Sequence, residues 1–98
     1  MPTYEQASQF RREFRALNAE ERRQFLQAVR ALRGDLERHP DRFHPSLRVK
    51  RVVAHPGVWE MTWGPDGRAT FNYGPEVVAG EPHVVWRRVG THDIFQAP

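Results

Sequence analysis

No cysteine occurs among the 98 residues. That excludes a disulfide framework, a thiolate nucleophile and cysteine-bound zinc. Lysine is nearly absent too: Lys50 stands alone, and every other basic side chain is an arginine. No apolar run approaches the roughly 20 residues that a membrane span requires. Met1-Pro2-Thr3-Tyr4-Glu5 lacks the apolar core of a signal peptide, so a soluble, cytoplasmic protein is expected. Internal repeats are missing, as are a phosphate-binding glycine loop, a GxSxG elbow and a dinucleotide fingerprint. His39, His44, His55, His83 and His92 fall at no ligand-pair spacing and join no carboxylate cluster. No metal or other cofactor is therefore expected.

What is present fits one small domain covering residues 1–98. Hydrophobic residues make up 39% and charged residues 28%, a globular balance rather than a disordered one. The net charge of +3 permits a nucleic acid or an acidic protein as partner, without selecting either. Because nearly all the cations are arginine, planar forks suited to phosphate and carboxylate predominate.

The character of the chain changes near His39-Pro40. A first helix is expected over about Glu5 to Leu17, with Phe10, Phe14 and Leu17 on one face. Asn18 then offers an N-cap, with Glu21 three residues on to answer it. A second helix carries Phe25, Val29, Leu32 and Leu36 on one stripe and stops at Pro40. From Leu47 the period shifts to two: a strand through Val49 and Arg51 has Arg48 and Lys50 on its basic face. Trp59, Met61 and Trp63 alternate next, and Gly64-Pro65-Asp66-Gly67 turns the chain into Arg68–Tyr73. A Gly- and Pro-rich loop precedes the last strand, from His83 to Val89. The expected fold is α+β, with a helical hairpin (about 5–38) packed on an antiparallel sheet of about four strands (about 46–95).

Arg48, Lys50 and Arg68 lie on strands expected to be neighbours, and His92 follows a glycine just past the final strand. Cleavage of RNA without a metal needs such a set. A base takes the 2′-OH proton, an acid protonates the leaving 5′-oxygen, and cations stabilise the phosphorane. Imidazole serves in either proton role, and an aromatic ring such as Phe95 can stack on a base. Each residue also has a plainer role open to it. His92 can cap a turn, and Arg48 and Lys50 can be solvated charges on an edge strand. Arg68 can be a hairpin-end charge, Phe95 a packing residue, and Trp59, Trp63, Phe71 and Tyr73 core.

In order, the segments resemble the RelE/ParE superfamily of bacterial toxins. The helical hairpin leads into Pro45-Ser46-Leu47-Arg48-Val49-Lys50-Arg51, then Pro56-Gly57-Val58-Trp59-Glu60-Met61 and Asp66-Gly67-Arg68-Ala69. The ending Trp86-Arg87-Arg88-Val89-Gly90-Thr91-His92-Asp93-Ile94-Phe95 carries most of the likeness. The resemblance implies a toxin that cuts mRNA on the ribosome and is neutralised by a cognate antitoxin protein. Its catalytic set would be His92, Lys50 and Arg68, with Arg48, Arg51 and Phe95 contacting RNA. Proton transfer would fall on His92 with Lys50. Two features depart from the pattern: the opening strand is short or missing, and Phe95 lacks the hydroxyl of a C-terminal tyrosine. A gyrase-directed inhibitor of the same superfamily and an inactive toxin-like binder are the other readings.

Overall fold

A computed structural model describes residues 1–38 and 43–98. The order is β1 (Thr3–Gln6), α1 (Ser8–Ala16), α2 (Ala19–Arg38), β2 (Lys50–Arg51), β3 (Trp59–Thr62), β4 (Arg68–Gly74) and β5 (His83–Gly90). Short 3₁₀ turns occupy Pro45–Leu47 and His92–Gln96. The expected break at His39-Pro40 lies outside the described residues.

The architecture is α+β, with a five-stranded mixed sheet in the order β1-β5-β4-β3-β2. The fifth strand corrects the sequence-based expectation. Glu5 and Gln6 do not open the first helix: Thr3–Gln6 runs parallel to β5, with Thr3 opposite His83 and Gln6 opposite Trp86. Two side chains of β1 secure this pairing. Thr3 and Glu5, two residues apart and so on one face, contact the two ring nitrogens of buried His83 at 2.7 and 2.8 Å. A parallel partner some 80 positions away leaves no local trace in sequence.

The corner between the helices forms as the sequence predicts. Asn18 N–H donates to Glu21 Oε1 at 2.9 Å, and Glu21 N–H donates to Asn18 Oδ1 at 2.8 Å, a reciprocal capping box. The helical stripes then meet the sheet in an aromatic cluster. Phe10 lies 5.9 Å from Trp86, and Phe25 lies 5.2 Å from Trp86 and 6.2 Å from Trp63 between ring centres. Phe71 closes it from β4, 5.4 Å from Trp86. Leu32, Leu36, Met61, Ala69, Val84 and Val89 complete the buried core.

The strand expected from Leu47 is shorter. Pro45–Leu47 is a 3₁₀ turn, and Arg48 ends it in the left-handed region at φ 47°. Only Lys50 and Arg51 pair with β3. Pro45 lacks the N–H a ladder needs, and its fixed φ favours the turn. In β5, the register shift against Thr70/Phe71 sets Thr70 opposite Arg88 but Phe71 opposite Trp86. Arg87 is the extra residue of this bulge, so Trp86 and Val89 both face the core with the two arginines between them.

Candidate functional site

Strand register sorts the expected site residues between the two faces of the sheet. Lys50 stands opposite Glu60, Glu60 opposite Thr70, and Thr70 opposite Arg88. One step along, Thr62 stands opposite Arg68 and Arg68 opposite Gly90. Directly opposed residues, and residues two apart, share a face. Lys50 and Arg68 therefore lie on the side away from the aromatic core.

His92 joins Arg68 at the end of the sheet where β3 turns into β4 and β5 finishes. The turn is tight: Gly67 N–H donates to Gly64 O and Trp63 N–H to Gly67 O, at 3.1 and 3.0 Å. A Cβ on Gly67 would sit 2.5 Å from the Trp63 ring, so only glycine lets the turn lie against the indole. This places Asp66 within 2.8 Å of His92 Nδ1. Asp93 Oδ1 approaches His92 Nε2 at 3.3 Å. Arg68 folds over the turn and donates to Gly67 O at 2.9 Å and Gly64 O at 3.4 Å.

The electrostatics follow from these contacts. The hydrogen bond that the His92 imidazole donates to Asp66 holds it above its ordinary pKa; the charges of Asp66 and Asp93 add to this, while Arg68 opposes it. The same bond holds the Asp66 carboxyl below its ordinary value. An imidazole poised toward its protonated form, beside a guanidinium and open to solvent, can give a proton to a substrate.

The other expected residues sit apart from this group. Lys50 is exposed and 3.5 Å from Glu60. It lies on β2, three inter-strand steps from β5, or about 14 Å. The sheet therefore does not bring Lys50 and His92 together. Arg48 is exposed at the end of the 3₁₀ turn rather than on a strand. Arg51 faces the core side, with its guanidinium 5.2 Å from the Trp59 ring centre beside a cleft lined by Leu36, Phe43, Tyr73 and Pro82. Phe95 is half-buried in the last 3₁₀ turn, next to buried Ile94.

Two features of this side were not anticipated. Asp66 belonged to a turn signal, and its one hint of a further role was a carboxylate at the tip of a hairpin ending in Arg68. Arg88 donates to both Glu13 oxygens, at 2.6 to 3.3 Å, and to Ala97 O at 3.0 Å. Arg87 donates to Asn72 Oδ1 and Pro98 O. The paired arginines bind the segment after β5 to the sheet and set where His92 can lie.

No protein-family model and no curated protein matches the chain. Solved structures do. YafQ in the E. coli DinJ–YafQ toxin–antitoxin complex aligns with TM-score 0.62 at 14% identity, over 94% of this chain and 93% of YafQ. YafQ from E. coli strain BL21(DE3) aligns with TM-score 0.57 at 15% identity, over 95% and 96%. At such identities the shared property is the fold, and it extends over nearly the whole of both chains.

Proposed function

From that shared fold we propose that the chain is the toxin of a toxin–antitoxin pair, an endoribonuclease that cuts mRNA on the ribosome in the cytoplasm. The observation that carries this reading is the His92–Asp66 pair beside Arg68, at the solvent-open end of the sheet. The 2′-oxygen attacks phosphorus and the bond to the 5′-oxygen breaks, leaving a 2′,3′-cyclic phosphate and a 5′-hydroxyl. His92, biased toward imidazolium by Asp66, donates its proton to the departing 5′-oxygen. Asp93, the exposed carboxylate next to Nε2, takes the proton from the 2′-hydroxyl. Arg68 exchanges the neutral carbonyls of Gly64 and Gly67 for the phosphorane oxygens, a charge-assisted bond in place of weaker ones.

Lys50, three strands from β5, and Arg48, on the turn before β2, hold the phosphates of neighbouring nucleotides. Phe95 stacks on a base near the scissile bond. Arg51 faces the opposite side and is left out of this set. A protein antitoxin is the expected partner, as YafQ has in DinJ.

Primer extension on a defined mRNA, with and without translating ribosomes, tests the reading. Ribosome-dependent cuts that fall at least a hundredfold in His92→Ala are expected from the usual contribution of a general acid. Cleavage by His92→Ala at the wild-type rate would refute the assignment. Folded protein that cuts nothing but blocks gyrase supercoiling would replace the reading altogether.

A further inference from the structure

A groove beside the site remains unassigned. Between α2 and the β3–β4 hairpin lies a cleft of about 380 Å³, bordered by Gln24, Gln27, Ser46, Thr62 and Trp63. A second, of about 140 Å³, is bordered by Glu21, Gln24, Trp63, Asp66 and Thr91. Gln24, Trp63 and Gly64 border both, so the two clefts adjoin at these residues. The near end of the groove opens at Asp66 and Thr91, the hydrogen-bond partner and the chain neighbour of His92.

The lining has a distinct chemistry. Neither cleft is bordered by lysine or arginine, and the one nearer His92 contains the carboxylates of Glu21 and Asp66. A phosphate has no partner there, whereas the cations stand outside, at Arg68 and His92. Trp63 is immobilised, with its indole N–H on Arg68 O at 2.9 Å and its ring against Phe25 and the Gly67 backbone. It supplies a fixed apolar wall. The Gln24 and Gln27 amides make no hydrogen bond among the described residues, and each offers both a donor and an acceptor. Glu21 spends one oxygen on the Asn18 N–H, and its other oxygen can accept. A rigid aromatic wall with free amides and no cation suits an unpaired nucleobase, whose edge carries mixed donors and acceptors.

We infer that this groove is a nucleobase subsite for single-stranded RNA. It takes the base of the nucleotide flanking the phosphate at His92, against Trp63, with Gln24 and Gln27 reading its edge. The position of that phosphate rests on the nuclease reading; binding of a base in the groove does not.

The test uses ¹⁵N-labelled protein and 2′-O-methyl trinucleotides, which cannot be cleaved because the 2′-hydroxyl is blocked, with each of the four bases in the central position. The Trp63 indole signal, assigned with Trp63→Phe, and the Gln24 and Gln27 side-chain signals should shift saturably and to different extents for the four bases. Gln24→Ala combined with Gln27→Ala should weaken binding about tenfold and flatten the base preference. Alanine is favoured in a helix, so α2 keeps its form, which circular dichroism checks. Unshifted Trp63 and glutamine signals, or unchanged affinity and preference in the double variant, would overturn the subsite. The mRNA cleavage assay is read separately. Saturable shifts from a protein that cuts no mRNA would keep the subsite and remove the nuclease reading. Cleavage whose site preference survives the double variant, with unmoved groove signals, would do the reverse.

Discussion

The two sides of this sheet are held in different ways. On the helical side, Phe10, Phe25, Phe71 and Trp86 interlock at centroid separations of 5.2 to 5.9 Å, with relative exposures of 3% or less. On the other side, charged groups dominate, and the cover over β4 and β5 is a short 3₁₀ turn with Ile94 as its buried residue. Burial of apolar area is non-directional and tolerates small shifts, so it supplies stability. Charge-assisted contacts depend on placement, so they fix where particular atoms stand. The helical side sustains the fold, and the opposite side positions His92 and Arg68.

Breaking the apolar side should have the largest effect. Phe25→Ala removes a ring in contact with Phe10, Phe14, Trp63 and Trp86. It should cost about 3–5 kcal/mol, read as a lowered denaturant midpoint. A loss below about 1 kcal/mol would mean that the aromatic cluster is not the main support.

Arg88→Leu comes next. It removes a largely covered ion pair, with side-chain exposures of 19% for Arg88 and 22% for Glu13, and leaves Glu13 unmatched. A cost of about 1–3 kcal/mol is expected from the hydrogen bonds to a charged group. Because the Ala97 contact is lost as well, His92 resonances should broaden or shift while those of Phe10 and Phe25 hardly move. Equal disturbance on both sides of the sheet would erase the distinction between them.

Asp66→Asn should have the smallest effect on stability, because His92 and Asp66 are both exposed. It should instead lower the His92 pKa toward the ordinary imidazole value of about 6.5, followed by NMR of the ring protons. In the native protein the His92 pKa is raised. The stabilisation this gives is complete below the unfolded imidazole value and fades as pH rises through the folded one. The Asp66 pKa is depressed, so its share is present above the unfolded carboxylate value and fades as pH falls through the folded one. Cleavage that depends on imidazolium should decline at a lower pH in the variant than in the native protein. Coincident pH profiles would separate Asp66 from the chemistry.

Much of the helical side was legible because its signals are local. Phe10, Phe14, Phe25, Leu32 and Leu36 recur at helical spacing, and Asn18 and Glu21 stand three apart, so each meets its partner within a turn or two. Alternation along Trp59–Trp63 and Ala69–Tyr73 showed which side chains face the core. The candidate site was legible only as residue types. Lys50 and His92 were expected to cooperate, yet two further strands lie between β2 and β5. Arg51 was expected to contact RNA with Arg48 and Phe95, yet alternation already set it opposite Lys50, on the core side, and a proline-led turn takes Arg48 off the strand.

By itself the sequence determined what short-range physics determines: helix faces, a capping box, hairpin turns and the α+β class. Tertiary structure decided which distant segments meet. Thr3 and Glu5 reach His83, Glu13 reaches Arg88, and Asp66 reaches His92. Each pair is separated by 26 to 80 positions, farther than any local period extends. Helical and strand periods set the direction of a side chain within its own element. The partner it finds there depends on strand order, register and one bulge, which only the packed chain fixes.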